Sequence, residues 1–290
     1  MENIIIPNPA ELEKKKLEFK NDGKESIHIL SDFDRTITKA FSKGKKIPSI
    51  ISILRDSNKN YISKEYIEKA HELYNKYHPI EISQTLSIED KKKKMLEWWN
   101  THYKLLIENG LTKEIINKAV KEAIDENILV LRNNSKDFFK ILKDNKIPLI
   151  IMSSSGLGNA VNKFLELSNC LSNNVYFIGN TLEFNKEGKF TGIKDNKIIH
   201  IFNKQEIELK NLPLYEEIKN KSNVILLGDS LGDLSMLENS DYKNIIKIAF
   251  YNDNEENLEE FKKNFDVIIT NDGSFDYINE LMTKLLHFPS

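Results

Sequence analysis

The sequence predicts an α/β protein: a Rossmann-like parallel sheet with a helical cap inserted into it. Three observations predict this. Short apolar runs rich in β-branched residues alternate with helix-periodic segments, the pattern of parallel strands joined by helical crossovers. The stretch from about 42 to 135 breaks that alternation, with long charged helical patterns and no convincing strand. Finally, the first three apolar runs each end in carboxylates or in hydroxyls with glycine, and strand ends are where open parallel sheets bind ligands.

The strand candidates, in order, are Ile27 to Leu30, Pro148 to Met152, Val224 to Leu227, Ile245 to Phe250 and Val267 to Ile269. Their length and continuous apolarity suit strands buried on both faces. Gly158 to Leu167, Leu231 to Asn239 and Glu255 to Asn264 carry the intervening helical patterns. Between the first two strands, Ser63 to Tyr77, Ser87 to Asn109 and Thr112 to Asn127 read as amphipathic helices. Ser87, followed by Glu89 and Asp90, supplies a cap and an acidic first turn. Tyr176 to Ile201 reads as a second insertion, a hairpin turning at Asn185-Lys186-Glu187-Gly188. The expected division is a catalytic core of 1–42 and 136–290 with a cap of 43–135.

Composition narrows the function classes. Forty-two basic residues balance 44 acidic ones, for a net charge of −2, without the basic surplus of a nucleic-acid binder. One cysteine, Cys170, allows neither an internal disulfide nor a multi-thiolate zinc site. The opening MENIIIPNPAELEKKK is no secretory signal, and no stretch is long and uncharged enough to span a bilayer. A cytoplasmic monomer with no membrane or nucleic-acid partner is expected.

The chemistry lies behind the apolar runs. Ser31-Asp32-Phe33-Asp34-Arg35-Thr36 follows the first, Ser153-Ser154-Ser155-Gly156-Leu157-Gly158 the second, and Gly228-Asp229-Ser230-Leu231-Gly232-Asp233 the third. Asp32, Asp34 and Asp229 brought together repel one another, so they call for a cation, and an all-oxygen set suits Mg²⁺. Serines and backbone N–H groups at a helix start suit a phosphate. A carboxylate beside that phosphate can attack phosphorus, and an Asp two residues on projects to the same side, where it can protonate the leaving oxygen.

This constellation resembles the haloacid dehalogenase superfamily (the HAD-like fold). More narrowly, SDFDRTIT, FSKGKKIPS, YHPIE, EWW, IHIFNK and ILLGDSLGDLSM resemble the cytosolic 5′-nucleotidase III, or pyrimidine 5′-nucleotidase, family. The resemblance implies a Mg²⁺-dependent hydrolase that cleaves nucleoside 5′-monophosphates through an aspartyl-phosphate. It implies Asp32 as nucleophile and Asp34 as acid and base, with Thr36 in the same loop. Mg²⁺ would sit on Asp32, the Asp34 carbonyl and Asp229, with Asp233 close behind. Phosphate would meet Ser154, with Ser153 as the alternative, together with the Ser155 N–H and Lys204. Glu81 would read the base and Trp99 would stack on it, with Ile51 as a possible opposite wall. His102 stands where the family has serine, which bears on base choice. UMP and CMP are the first expected substrates and 7-methylguanosine monophosphate the close alternative. A phosphoserine-type phosphatase and a non-catalytic nucleotide binder are the rival readings. Lys14 to Lys16 and Lys91 to Lys94 read as solvated helix faces, and Cys170 as inert buried sulfur.

Overall fold

The five apolar runs lie side by side in a single seven-stranded sheet. The computed structural model describes residues 3–56, 59–83, 85–204, 209–238, 241–252 and 257–286. In chain order the elements are β1 (Ile4–Ile5), α1 (Pro9–Asp22), β2 (Ile27–Ser31), β3 (Phe41–Ser42), β4 (Lys45–Lys46), α2 (Ile50–Asp56), α3 (Lys64–Ile82), α4 (Ile88–Glu108), α5 (Lys113–Asp125) and α6 (Ser135–Asp144). There follow β5 (Leu149–Met152), α7 (Gly158–Leu167), β6 (Val175–Ile178), β7 (Leu182–Phe184), β8 (Phe190–Ile193), α8 (Tyr215–Ile218), β9 (Asn223–Gly228), β10 (Asn244–Tyr251), α9 (Leu258–Asn264), β11 (Val267–Thr270) and α10 (Asp276–Leu286).

The sheet order is β1-β11-β10-β9-β2-β5-β6. Every pair is parallel except β1 with β11. From β2 the chain builds outward through β5 and β6; it then returns to the other side of β2 and builds through β9, β10 and β11. That reversal makes the gap between β2 and β9 a topological switch point, where the crossovers leave a crevice beyond the strand ends. Side-chain alternation explains the double burial. Ile27, Ile29, Leu149, Ile151, Ile225 and Leu227 face one core, while Leu30, Ile150, Met152, Val224 and Leu226 face the other.

The helical insert follows its capping signals. Ser63, Ser87 and Thr112 each accept a hydrogen bond from the backbone N–H three residues on, opening α3, α4 and α5. The buried face of α5 (Ile116, Ala119, Val120, Ala123) packs on α2 and α7, which seats the insert on the core.

The structure departs from the sequence reading in several places. Tyr176–Ile178 belongs to β6, an edge of the main sheet, and the hairpin is only β7–β8, turning at 185–188 as expected. Leu231–Leu237 is 3₁₀ rather than α, pulled tight by its cap. A short hairpin, β3–β4, opens the stretch expected to lack strands. Ile4–Ile5 forms an edge strand too short to stand out in the sequence. Residues 253–256, which hold the start of the Glu255 to Asn264 pattern, lie outside the described residues; α9 begins at Leu258.

One buried histidine gives the fold a pH signature. His28 on β2 is fully buried with its ring against Tyr242, centroids 5.2 Å apart. Burial pushes its pKa down from 6.5 to about 4, and the Lys221 backbone offsets only part of this. The folded state therefore favours the neutral ring, so its contribution is complete above pH 6.5 and is lost progressively as pH falls from 6.5 to about 4. His28→Leu should remove this acid sensitivity. Urea unfolding should show similar stability for the two proteins at pH 7.5, but a relative gain of about 2–3 kcal/mol for the variant at pH 4.5. An unchanged difference between the two pH values would refute the assignment.

Candidate active site

The register of β2 against its neighbours gathers the three polar segments. Ser31 pairs with Leu227 on β9 and with Ile151 on β5. Asp32, Gly228 and Met152 are therefore the next residues along three adjacent strands. The Asp32 N–H still donates to the Leu227 carbonyl (2.9 Å), so the sheet itself fixes the first carboxylate.

Lys204 ties the cluster together. Its Nζ donates to Asp32 Oδ1 at 2.6 Å and to Asp233 Oδ1 at 2.8 Å, and all three side chains are almost completely buried. Asp233 turns its other oxygen, Oδ2, to the Asp229 N–H (3.1 Å), the Ser230 N–H (3.0 Å) and the Ser230 hydroxyl (3.0 Å). This capping box folds Gly228–Asp233 back on itself. It requires glycine at 228, because a Cβ there would lie 2.7 Å from the Asp233 side chain.

Asp32, Asp229 and Asp233 each place a carboxylate oxygen within 4.8 Å of the others. Desolvation raises the Asp32 pKa well above the usual range, Lys204 opposes that, and Asp233, Asp229 and Asp34 raise it further. Desolvation and Asp233 push Asp229 up to about 7, against Arg35 and Lys204. Lys204 and Arg35 together do not neutralise the carboxylates of Asp32, Asp34, Asp229 and Asp233, and the donors are all hard oxygens. The set fits a hard divalent cation such as Mg²⁺. Asp32 and Asp229 are the better ligands, since the hydrogen bonds to Asp233 already occupy both of its oxygens.

Asp34 is half-buried, and its side chain makes no hydrogen bond among the described residues. Desolvation raises its pKa to about 6, against the pull of Arg35 and Lys204. A carboxyl poised there can give or take a proton near neutral pH.

In the loop after β5, Ser153 and Ser155 are buried and Ser154 is half-exposed. Ser153 Oγ accepts the Ser155 N–H (3.1 Å), so both groups are used inside the loop. That leaves the Ser154 hydroxyl, and the Ser155 Oγ, which is buried without a partner among the described residues, as groups that can turn to a phosphate. Asn180 was not singled out from the sequence, where one asparagine among many carries no signal. It is fully buried and bridges the Ser155 carbonyl (3.1 Å) to Ile199, through the Ile199 carbonyl (2.8 Å) and N–H (2.8 Å). Asn203 braces the same loop, accepting the His200 N–H (2.7 Å) and donating to the Ile198 carbonyl (2.9 Å). These two side chains set the approach of Lys204.

The insert meets this site through aromatic rings. Trp99 lies beside Trp98 (centroids 6.0 Å apart) and Tyr103 (5.6 Å) with the ring planes near parallel, and its ring lies against Gly156, where a Cβ would fall 2.1 Å from Cζ3. The Tyr103 hydroxyl donates to the Gly156 carbonyl at 3.1 Å. His102 is buried one ring away, its Nε2 hydrogen-bonded to the Tyr66 hydroxyl (3.0 Å). Glu81 is about a quarter exposed, with Oε2 3.1 Å from His78 Nδ1. Ile51 is buried on α2.

The four-lysine run is not a uniformly solvated face. Lys91 is buried, with Nζ 5.1 Å from the Phe202 ring centre. Phe202 in turn packs on the Tyr77, Met95 and Trp98 cluster. Lys93 and Lys94 are exposed, as expected. Cys170 is buried, which raises its thiol pKa to about 11 and leaves it unreactive.

Gly156→Ala tests the contact between insert and loop. The added methyl must displace either Trp99 or the serine loop, for an expected cost of about 1–3 kcal/mol and a roughly tenfold higher KM for nucleotide. Thermal melts and steady-state kinetics check both. Wild-type values in the variant would mean that Trp99 does not rest on this loop.

Comparison with known proteins agrees with this geometry. A family model described as pyrimidine 5′-nucleotidase (UMPH-1) matches residues 35–286. The 7-methylguanosine phosphate-specific 5′-nucleotidase A of Xenopus laevis is 33% identical over 283 residues, covering 97% of this chain and 95% of the relative. The human 7-methylguanosine phosphate-specific 5′-nucleotidase is 31% identical, covering 98% and 92%. Cytosolic 5′-nucleotidase IIIB, solved bound to cytidine, superposes with a TM-score of 0.88 at 29% identity, covering 98% of this chain and 94% of that one. A phosphoserine phosphatase at TM-score 0.50 and 21% identity, covering 89% and 96%, shares the fold. With its carboxylates, lysine and serine loop at the sheet's switch point, the chain belongs to the pyrimidine 5′-nucleotidase (UMPH-1) family and is a 5′-nucleotidase of the cytosolic 5′-nucleotidase III type.

Proposed function

We propose that the protein hydrolyses nucleoside 5′-monophosphates through an aspartyl-phosphate on Asp32, with Mg²⁺ held by Asp32, Asp229 and the Asp34 carbonyl. The observation that carries this reading is Lys204 bridging Asp32 and Asp233 at the end of β2, with Asp229 in the same cluster. When bound, the ion supplies charge neutralisation that lets a phosphate dianion approach the carboxylates.

An Asp32 carboxylate oxygen attacks phosphorus, and the bond from phosphorus to the ribose O5′ breaks. Asp34 gives its proton to O5′, and the nucleoside leaves. Asp34 then takes a proton from a water molecule that attacks the same phosphorus. The bond to Asp32 breaks and inorganic phosphate departs. Lys204, Ser154 and Ser155 offset the negative charge on the transferred group. Residues 43–135 act as a cap over a core of 1–42 and 136–290, excluding bulk water while the phosphoenzyme exists.

Glu81 and Trp99 read the base. A carboxylate accepts from the exocyclic amine of cytosine and offsets the positive ring of 7-methylguanine, whereas it repels the O4 of uracil. A tryptophan face also favours a cationic ring. CMP and 7-methylguanosine monophosphate are therefore the preferred substrates, ahead of UMP. The relatives named for 7-methylguanosine phosphate support the second of these. Phosphate release from CMP, UMP, 7-methyl-GMP, GMP and phosphoserine under one set of conditions tests the reading. CMP and 7-methyl-GMP should exceed GMP and phosphoserine in kcat/KM by about tenfold or more, the scale of one or two good base contacts. Faster turnover of phosphoserine would overturn the nucleotide assignment.

A further inference from the structure

Arg132 is buried with a fully covered side chain at the point where the insert returns to the core. All five of its N–H groups are spent. Nε donates to the Thr36 carbonyl (2.9 Å). Nη1 donates to Asp272 Oδ1 (2.9 Å) and to the Gly273 carbonyl (2.9 Å). Nη2 donates to the Arg35 carbonyl and to Asn252 Oδ1 (3.4 Å). The guanidinium lies 4.0 Å from the Phe250 ring centre. Two of these acceptors are the carbonyls immediately following Asp34.

The loop needs such a clamp. Arg35 sits in the left-handed region at φ +59°, which costs a non-glycine residue about 1 kcal/mol and is retained only when surrounding bonds over-determine it. Asn252 Nδ2 also donates to the Arg35 carbonyl (3.2 Å), but the guanidinium supplies the charged bonds. The clamp also spans both connections to the insert. The outgoing connection is held where Asp272 accepts the Ala40 N–H (2.8 Å). The returning one pairs with it through Thr38 and Leu131 and through the Arg132 N–H to the Ile37 carbonyl (2.9 Å).

We infer that Arg132, oriented by Asp272, is a positioning residue for Asp34: it fixes the loop so that the Asp34 carboxyl reaches the leaving oxygen. Asp32 depends on it far less, because the Leu227 carbonyl and Lys204 hold that residue independently. The two carboxylates of one short motif thus have separate supports. Loss of the clamp should impair proton donation while sparing nucleophilic attack.

This inference rests on Asp34 acting as the acid, and leaving-group dependence tests the two separately. The first-turnover rates to be compared are nucleoside release from CMP, whose alkoxide needs a proton, and p-nitrophenolate release from p-nitrophenyl phosphate, which does not. In Arg132→Lys and Asp272→Asn the CMP rate should fall about 30-fold, a sizeable part of what general acid catalysis contributes. The aryl phosphate rate should fall less than about threefold. Asp34→Asn serves as reference and should show the same split more strongly. Equal losses on both substrates, or none on either, in the Arg132 and Asp272 variants would overturn the inference while the Asp34 reference still splits. If Asp34→Asn treats both substrates alike, the acid assignment fails and the role of Arg132 fails with it. Should Arg132→Lys melt too low to assay, Asp272→Asn carries the test, since it removes the charge beside Arg132 and otherwise only the long bond from the exposed Phe41 N–H (3.3 Å).

Discussion

Asp32→Asn will abolish steady-state phosphate release from every nucleotide, with a loss of about 10⁴-fold or more. The amide keeps the shape and the β2–β9 hydrogen bond, which is made by backbone, so folding should survive. It cannot attack phosphorus. Losing the negative charge also frees Lys204 from one of its two carboxylates, which should leave nucleotide binding intact or tighter. The decisive readout is therefore a split between binding and turnover. Denatured phosphoprotein trapped after rapid mixing with labelled CMP should appear for the wild type and be absent from the variant. Residual turnover within tenfold of the wild type would place the nucleophile elsewhere.

The core was legible in the sequence because its strands are buried on both faces. Double burial demands continuous apolar runs, so β2, β5, β9, β10 and β11 could be read within a residue or two of their ends. The chemistry was legible for the same reason. A polar residue directly after such a run sits at a sheet edge whatever the surrounding packing, which brought Asp32, Asp229 and the serine loop together. β1 was missed because a two-residue edge strand leaves almost no apolar run, and Tyr176 to Ile178 was assigned to the hairpin because its run leads directly into it, whereas it pairs with β5 at the edge of the main sheet.

Contacts between the insert and the core were harder to read, though not for lack of signal. The buried stripe of α4 runs Lys91, Met95, Trp98, His102, Leu105, at i, i+4, i+7, i+11 and i+14. Phase alone places Lys91 and His102 inside, but a composition rich in lysine hides the point. The Lys91 stem can be covered while its charged head finds a π face, here that of Phe202. The two adjacent tryptophans pack with near-parallel rings, Trp98 buried and Trp99 on Gly156. Arg132, Asn180 and Asn203 act on backbone carbonyls and N–H groups from distant loops. No local pattern encodes that, since their partners come together only once the sheet has formed.

Lys204→Met should damage stability and catalysis by different routes, and the divalent ion should separate them. Burial opposes the charge on Lys204, but Asp233 and Asp32 outweigh it and hold the ammonium firmly protonated. Methionine fills the space of the stem but leaves two buried carboxylates without their cation. Breaking one side of such a buried pair costs about 3 kcal/mol in the chelator-treated protein. Those same carboxylates now repel one another more strongly and gain more from a divalent ion. Saturating Mg²⁺ should therefore raise the melting temperature of the variant by more than that of the wild type, and recover a large part of the lost stability through binding to the folded state alone. Turnover should not recover, because the ion cannot stand where the ammonium meets the transferred phosphoryl group; a loss of about 10³-fold should persist at saturating Mg²⁺. Equal Mg²⁺-induced shifts in the two proteins would show that Lys204 and the ion do not share the same negative charge. Full recovery of turnover would remove Lys204 from the reaction and leave it with a purely structural role.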